Sequence, residues 1–236
     1  MDDYGRTDHS GKVLIPRNVG TESVRLLNPS VVDYDLLKSW LSVCRSMHTQ
    51  RCCSGIRKTV NYLKFLDCET RKLVPAKSLP YITLSYMWGA DERPPLYTEQ
   101  LGYNLPPTIE DSITVTLKLG YRYLWIDRYC INQQNKEQAM SQIQQMDTIY
   151  EDSEMTIVAA AGVGPTYGLP GVSRTRRPQP VANIGQLQLV SPGSVAREVL
   201  KESRWSTRGW TFQEAYLSRR RLTFTDEQVY YECRGM

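Results

Sequence analysis

The chain has 236 residues, of which 41% are hydrophobic and 23% are charged, and its formal net charge is +4. These values predict an ordinary soluble globular protein, with one large or two small domains and a substantial core. The weak positive charge permits an anionic ligand but gives no reason to expect nucleic acid as a partner, and no apolar run approaches the roughly 18 residues of a membrane span.

The N-terminus and the cysteines indicate the compartment. "MDDYGRTDHSGK" is polar and acidic, unlike a secretory signal. The six cysteines lack a regular framework spacing, which favours reduced thiols and a cytoplasmic location. The chain stops at "CRGM" without a terminal signal, and this favours a longer parent protein.

Residues 1–60 are predicted to form an N-terminal extension, and residues 61–236 the main domain. The beginning is polar with scattered Gly and Pro, typical of an irregular arm. In "YDLLKSWLSVCRSMH" the apolar residues recur at helical spacing, which predicts an amphipathic helix. "VNYLKFLDCETRKLVPA" alternates between apolar and polar residues around a turn, which predicts a strand pair.

The central part alternates between strands and helices. "YITLSYMWG", "YRYLWIDRYC" and "EMTIVAAAG" predict strands over 81–86, 122–127 and 155–160. The intervening segments predict helices, with Thr108 and Asn135 as their expected N-caps. This alternation predicts an α/β fold with a mainly parallel central sheet flanked by helices.

Residues after the strand ends are candidates for a site, because ligands bind beyond the carboxyl ends of parallel strands. The candidates are Ser85, Tyr86, Trp88 and Gly89 after the first strand, Asp127 and Asn132 after the second, and Ala161 and Gly162 after the third. Asp127 is equally suited to capping the turn that follows it. Trp125 is expected in the core, and Trp88 either in the core or in a pocket wall.

The C-terminal third begins with the basic, irregular stretch "GVGPTYGLPGVSRTRRPQP". Loops of this length are usually functional or disordered. "QLQLV" and "REVL" return to regular structure, "RGWTFQEAYLSRRRL" predicts a helix, and "RRLTFTDEQVYYEC" predicts a peripheral hairpin that turns at residues 225–227. The arginines at 219–221 are expected to form a solvated edge.

A cysteine–histidine group follows the first helix. Cys44, His48 and Cys52 share one face if the helix continues, and Cys53 is adjacent. Thiolates with an imidazole are zinc ligands. The spacing is not that of a standard zinc finger, however, and no second Cys/His pair is nearby. The pattern therefore favours a buried thiol cluster, and no metal ligand is assigned.

Three blocks occur in one order and spacing: "YITLSYMWG", "GYRYLWIDRYCINQ" and "RGWTFQEAYLSRRRLTF". They resemble the signature blocks of the heterokaryon incompatibility (HET) domain of filamentous fungi, over about Tyr62 to Cys233. Members of that family trigger cell death when incompatible strains fuse. The family is distantly similar to the Toll/interleukin-receptor (TIR) domain, a flavodoxin-like α/β fold.

The similarity to TIR domains extends to single residues. "LSY" resembles the end of the first TIR strand, and "DTIYEDSEMTIVAAA" resembles a TIR helix and strand, with Ala161 in place of a serine. In "RWSTRGWTFQEA", Trp210 and Glu214 match the TIR tryptophan and glutamate, while Thr211 and Ala215 replace its cysteine and leucine. The resemblance implies that Glu214 is the catalytic residue of NAD hydrolysis.

This implied chemistry is consistent with one carboxylate. Cleavage of the nicotinamide–ribose bond passes through an oxocarbenium-like state, which a single carboxylate near the ribose stabilises. NAD is the substrate, and no cofactor is expected. Binding groups would be cationic for the pyrophosphate, aromatic for a ring and polar for the ribose: Ser85, Tyr86, Trp88, Gly89, Asp127, Asn132, Arg204, Arg208, Trp210 and the loop arginines 174, 176 and 177.

Two interpretations remain open. The chain is a TIR-like NAD glycohydrolase, a non-enzymatic death-signalling module that acts by self-association, or both, since a composite active site can require assembly. Without the resemblance, Trp210 and Glu214 would be interpreted as a buried indole and a solvated carboxylate. The expected partners are NAD or a related nucleotide, further copies of the chain on activation, and an incompatibility or NLR-type protein.

Overall fold

The structure is a computed structural model, and it describes residues 15–16, 25–53, 59–76, 78–89 and 95–236. Most of the predicted N-terminal arm lies outside these ranges. The strands are β1 (Ile15–Pro16), β2 (Lys64–Asp67), β3 (Lys72–Pro75), β4 (Tyr81–Ser85), β5 (Tyr123–Trp125), β6 (Met155–Ala159), β7 (Val181–Ile184), β8 (Leu187–Val190), β9 (Arg220–Phe224) and β10 (Val229–Cys233). The α-helices are α1 (Tyr34–Met47), α2 (Thr49–Cys52), α3 (Pro107–Lys118), α4 (Asp127–Cys130), α5 (Lys136–Ile143), α6 (Met146–Asp152), α7 (Ala196–Glu202) and α8 (Gly209–Leu217), with a 3-10 turn at Arg204–Thr207.

Seven strands form the central sheet in the order β10-β9-β6-β4-β5-β2-β3. The four middle strands are parallel, and the outer strands pair antiparallel at both edges. Numbered along the chain, the parallel strands have the spatial order 2-1-3-4, as in a flavodoxin-like doubly wound sheet. The predicted α/β fold, with its parallel centre, flanking helices and C-terminal hairpin at one edge, is confirmed. A second, small sheet has the order β1-β8-β7.

The middle of the sheet is buried on both faces. Every residue of β4 and β6 is buried, which is typical of parallel strands covered by helices. The tryptophan expected in the core, Trp125, is fully buried and packs edge-on against Tyr150, with ring centroids 5.5 Å apart. None of the helices in the described ranges has the length and hydrophobicity of a membrane-spanning helix.

The helix boundaries correct one predicted cap and confirm another. Helix α3 begins at Pro107, so its N-cap is Pro106 and not Thr108. Proline suits the first helical position because the N–H of that position has no partner within the helix. Asn135 does cap α5, and it accepts the Gln138 amide at 3.1 Å.

The expected solvated edge at residues 219–221 is wrong for its first two arginines. Arg219 and Arg220 are buried, since β9 lies inside the sheet, between β6 and β10. Arg219 forms an ion pair with Asp152 at 3.2 Å, and the Nε atom of Arg220 donates to the Cys44 sulfur at 3.1 Å. These two arginines therefore contribute to the packing between secondary-structure elements.

The long basic loop after β6 is held by a buried carboxylate on α3. Asp111 accepts from the Leu169 amide and from the Ser173 hydroxyl, both at 2.6 Å. Within the same loop, Arg176 is buried and donates to two backbone carbonyls of residues 28–31. The loop thus has defined anchors on both the helix and the N-terminal segment.

We predict that Asp111→Ala lowers the free energy of unfolding by about 1–3 kcal/mol, because the Leu169 amide would remain buried without its acceptor. Urea denaturation measures this loss, and trypsin should cut the loop faster at residues 174–177. Asp35→Ala is the control, since its side chain is 97% exposed. Equal stability of the two variants would contradict an anchoring role for Asp111.

Candidate active site

A cleft of about 480 Å³ opens beyond the carboxyl ends of β4 and β5. Its volume is in the range of small-molecule pockets, about 300–1,000 Å³. A parallel sheet favours this position, because ligands bind in the crevice outside the carboxyl ends of its strands. The cleft is lined by Met87, Trp88, Gly89, Asp127, Ile131, Gln133, Ile143, Met146, Arg208, Trp210 and Glu214.

The carboxylate of Glu214 is fixed beneath the cleft by two side chains. Glu214 lies on α8 and is only 3% exposed, so the interpretation as a solvated carboxylate is wrong. Ser85, at the end of β4, donates its hydroxyl to Oε2 of Glu214. Trp205 in turn donates its indole N–H to the Ser85 oxygen at 2.8 Å. The carboxylate therefore has one defined orientation.

The backbone of Glu214 is anchored by a chain of buried hydroxyls. Ser218 donates to the Glu214 carbonyl at 2.6 Å, and its oxygen lies 2.5 Å from that of Thr156 on β6. Thr156 is bonded to Thr83 on β4 at 2.7 Å. The chain connects the end of α8 to two central strands, so the position of the helix follows that of the sheet.

The pKa of Glu214 is raised from 4.5 to about 7. Burial is the largest cause, because it removes the charged form from water, and the neighbouring charge of Asp127 adds to it. Contacts with Ser85, Arg208 and Tyr150 oppose the shift but do not cancel it. At neutral pH this side chain therefore exchanges between its acid and its base form.

Asp127 is a second buried carboxylate in the same cleft. It begins α4 and accepts the indole N–H of Trp88 at 3.0 and 3.1 Å and the Arg128 amide at 2.7 Å. Burial raises the pKa of Asp127 to about 6. The guanidinium of Arg128 lies 5.4 Å from the centre of the Trp88 ring and donates to its carbonyl. The expected capping role is therefore wrong, because the N-cap of α4 is Ile126 and Asp127 is the first residue of the helix. Asp127 lies instead in the cleft wall.

Two residues at the start of α8 complete the cleft. Arg208 donates to the carbonyl of Tyr86, and its charge lowers the pKa of both buried carboxyls. Trp210 is 54% exposed, so the expectation of a buried indole is wrong. Trp210 and Glu214 do share one helix face, but that face is directed to the cleft, with the glutamate deeper.

The candidates from sequence are mostly brought together. Six of them line the cleft: Trp88, Gly89, Asp127, Arg208, Trp210 and Glu214. Ser85 and Tyr86 are buried beside them, and the Tyr86 hydroxyl makes no hydrogen bond to any residue within the described ranges. Ala161, Gly162, Asn132 and Arg204 do not line the cleft. Asn132 accepts the Gln134 amide in a turn, and Arg204 is exposed.

The loop arginines do not line the cleft either. Arg174 stacks on Tyr167, with the guanidinium 3.6 Å from the ring centre. Arg177 pairs with Glu227 at 2.9 Å, and Arg176 is buried. Trp205 follows no strand, and no pattern in the sequence predicts its contact with Ser85.

The arrangement presents a proton-exchanging carboxylate, a second carboxylate, a cation and two indoles to one cavity. A carboxylate with a pKa near neutrality suits proton transfer, and its ionised form stabilises positive charge. His48, the histidine that lies within the described ranges, is not among the residues that line this cleft. The described side chains are therefore suited to chemistry based on carboxylates.

Comparison with known proteins gives two matches. The family model "Heterokaryon incompatibility protein (HET)" matches residues 81–214. "Vegetative incompatibility protein HET-E-1" of Podospora anserina is 27% identical over 154 residues, which cover 61% of this chain and 10% of the relative. The chain thus spans about a tenth of that protein. No solved structure matches.

The raised pKa of Glu214 predicts a pH-dependent cost to stability. The folded state binds the Glu214 proton more tightly than the unfolded state, so protonation of this side chain stabilises the fold. This stabilisation is complete below about pH 4.5 and is lost as the pH rises through about 7. Glu214→Gln cannot ionise. As the pH rises from about 5 to about 8, the free energy of unfolding of this variant should fall by about 2 kcal/mol less than that of the unmodified chain.

Urea denaturation at the two pH values measures the difference, and Glu202→Gln, at an exposed position, is the control. Parallel pH profiles for all three proteins would show that Glu214 ionises as an ordinary surface carboxylate.

Proposed function

Because the chain belongs to the heterokaryon incompatibility (HET) family, we propose that it is a cell-death effector domain that hydrolyses NAD or a related nucleotide, with Glu214 as the catalytic carboxylate. The family model matches more than half of the chain and ends at Glu214. The name of the Podospora anserina relative, a vegetative incompatibility protein, supports a role in incompatibility. The enzymatic activity is supported by the site.

One observation supports the activity most strongly: Glu214 is a buried carboxylate that is held by Ser85 and directed into the cleft. A carboxylate that served only solubility would be exposed, since burying a charge is costly. Groups with strongly shifted pKa values cluster at functional sites.

The proposed reaction needs no acid to activate the leaving group. The bond between the ribose carbon and the nicotinamide nitrogen breaks, and its electron pair neutralises the positive charge of the ring. The ionised Glu214 stabilises the resulting oxocarbenium-like ribose. Water adds to the ribose carbon, and its proton passes to the carboxylate and then to solvent. The products are nicotinamide, ADP-ribose and a proton.

The remaining side chains of the cleft are suited to hold the nucleotide. The Trp88 ring lines the cleft, with the Arg128 guanidinium 5.4 Å from its centre, so this indole is suited to stack on a flat ring. Arg208 supplies a cation for the pyrophosphate. Asp127 already accepts two donors, but a carboxylate has about four acceptor positions, so it retains capacity for a ribose hydroxyl.

A second function, self-association as a death-signalling module, is supported by the surface of α8. Trp210 is 54% and Tyr216 is 71% exposed on this helix, and exposed aromatic residues are favoured in interfaces between proteins. Further copies of the chain, or an incompatibility or NLR-type protein, would bind there. The two functions are compatible, because an activating partner on α8 would lie beside the cleft.

We predict that Glu214→Gln lowers NAD turnover by about 100-fold or more, the effect of removing one well-placed electrostatic group. Release of nicotinamide from the purified chain measures turnover, and expression in fungal cells measures killing. Glu202→Gln, an exposed substitution on α7, should leave both unchanged. Full turnover in Glu214→Gln would refute the catalytic role, whereas killing without turnover in all variants would support the signalling function.

We predict that Trp210→Ala weakens substrate binding without unfolding the protein. The indole is 54% exposed, so its loss should change stability by no more than about 0.5 kcal/mol. Loss of a stacking partner should raise KM about 2- to 10-fold and leave kcat nearly unchanged. Tyr216→Ala, on the same helix but outside the cleft lining, is the control. A large loss of stability would place the indole in the core.

A further inference from the structure

Four side chains from distant parts of the chain meet at the edge of the sheet that β10 forms. The Sγ atoms of Cys44, Cys52 and Cys233 and a ring nitrogen of His48 all lie within 4.8 Å of one another. Cys53, which the sequence places beside this group, is exposed and does not take part. The fourth member comes instead from a strand about 180 residues further along the chain.

Helical geometry places the first three side chains together. Helix α1 ends at Met47 and α2 begins at Thr49, but i to i+4 hydrogen bonds continue through the junction. The His48 amide donates to the Cys44 carbonyl at 3.0 Å, and the Cys52 amide donates to the His48 carbonyl at 2.9 Å. Residues four apart lie on one helix face, so the three side chains point in one direction.

The C-terminal hairpin supplies the fourth side chain and a buried cation. Cys233 is directly opposite Arg220 in the register of β10 and β9, and opposed residues share one face of a sheet. The Sγ atom of Cys233 lies 3.2 Å from Nδ1 of His48. A Cβ atom at Gly235 would lie 2.3 Å from the His48 ring, so the backbone closes directly over the imidazole.

We propose that Cys44, His48, Cys52 and Cys233 bind one structural Zn²⁺ ion. Three thiolates and one imidazole are a common set for a closed structural zinc site. With Zn–S bonds of about 2.3 Å and a Zn–N bond of about 2.0 Å, tetrahedral ligand atoms are about 3.5–3.8 Å apart. Atoms that lie within 4.8 Å of one another reach this geometry through side-chain movements of about 1 Å.

The surroundings match the charge of the proposed site. Three thiolates, a neutral imidazole and Zn²⁺ carry a net charge of −1, and binding releases three thiol protons to solvent. Arg220, whose side chain is 4% exposed, donates its Nε–H to the Cys44 sulfur at 3.1 Å and another N–H to the Cys52 carbonyl. Such donors to ligating atoms are typical outer-shell partners. An adjacent groove of about 250 Å³, lined in part by His48 and Cys44, provides a path for the ion.

The site would join α1 and α2 to the last strand of the sheet. Its ligands lie on both sides of residues 81–214, the segment that the family model matches. The ion would act as a crosslink between the first helices and the last strand of the sheet, and its proposal does not rest on the activity proposed for Glu214.

Metal analysis of the full chain, purified without chelators, tests this proposal. We expect about one zinc ion per chain, and after exchange for Co²⁺ we expect thiolate charge-transfer absorption with the strong visible bands of tetrahedral cobalt. Cys233→Ser should lose the metal and melt at a lower temperature. Cys53→Ser, the matched control, should retain both metal and stability.

A second measurement tests the proposal even if Cys233→Ser does not fold. In the unmodified chain, alkylation followed by mass spectrometry should show Cys44, Cys52 and Cys233 protected until a chelator is added, and Cys53 labelled throughout. The proposal is overturned if the chain contains no zinc and Co²⁺ produces no thiolate absorption. It is also overturned if protection does not depend on the chelator, if Cys53→Ser loses the metal, or if a disulfide joins two of the three cysteines.

Discussion

The hydrogen bond from Ser85 to the carboxylate of Glu214 is the constraint on which the cleft depends. It joins the end of the most central strand, β4, to the helix that carries the candidate catalytic group. A second polar chain, through Ser218, Thr156 and Thr83, fixes the backbone of the same helix. Both sets of hydrogen bonds lie in an otherwise apolar interior. There, a buried polar group without a partner destabilises the fold by more than one hydrogen bond stabilises it. Helix α8 therefore has one well-defined position.

This arrangement places two carboxyls in one cavity at a cost to stability. Burial raises the pKa of Asp127 to about 6 and that of Glu214 to about 7, and the charge of Asp127 adds to the shift of Glu214. Arg208 offsets part of this repulsion, since its charge lowers both pKa values. A packed core would avoid such a pair. Its presence beside an open cleft supports the proposal that this cleft is an active site, where stability is commonly lost in favour of function.

The sequence predicts the features that depend on local periodicity. The continuous apolar runs identify β4 and β6, their alternation with helices gives the parallel sheet, and strand ends identify Trp88 and Asp127. Helical spacing also places Trp210 and Glu214 on one face, but it cannot show what that face meets. The exposure of Trp210 and the burial of Glu214 depend on how α8 packs against the sheet. Residue spacing does not predict contacts between residues that are distant in sequence, such as the contact of Trp205 with Ser85.

Residue spacing likewise predicts only part of the cysteine–histidine group. Cys44, His48 and Cys52 are recognisable from helical spacing, whereas Cys233 joins them only because β10 lies beside α1 in the folded chain. One short segment then connects this group with the cleft, because residues 214–220 are fixed at three points. The Glu214 side chain bonds to Ser85, Ser218 bonds to the hydroxyl chain, and Arg220 bonds to Cys44 and Cys52. A movement of the β9–β10 hairpin would therefore be transmitted to α8, and the packing of the first helices against this hairpin supports the geometry of the cleft.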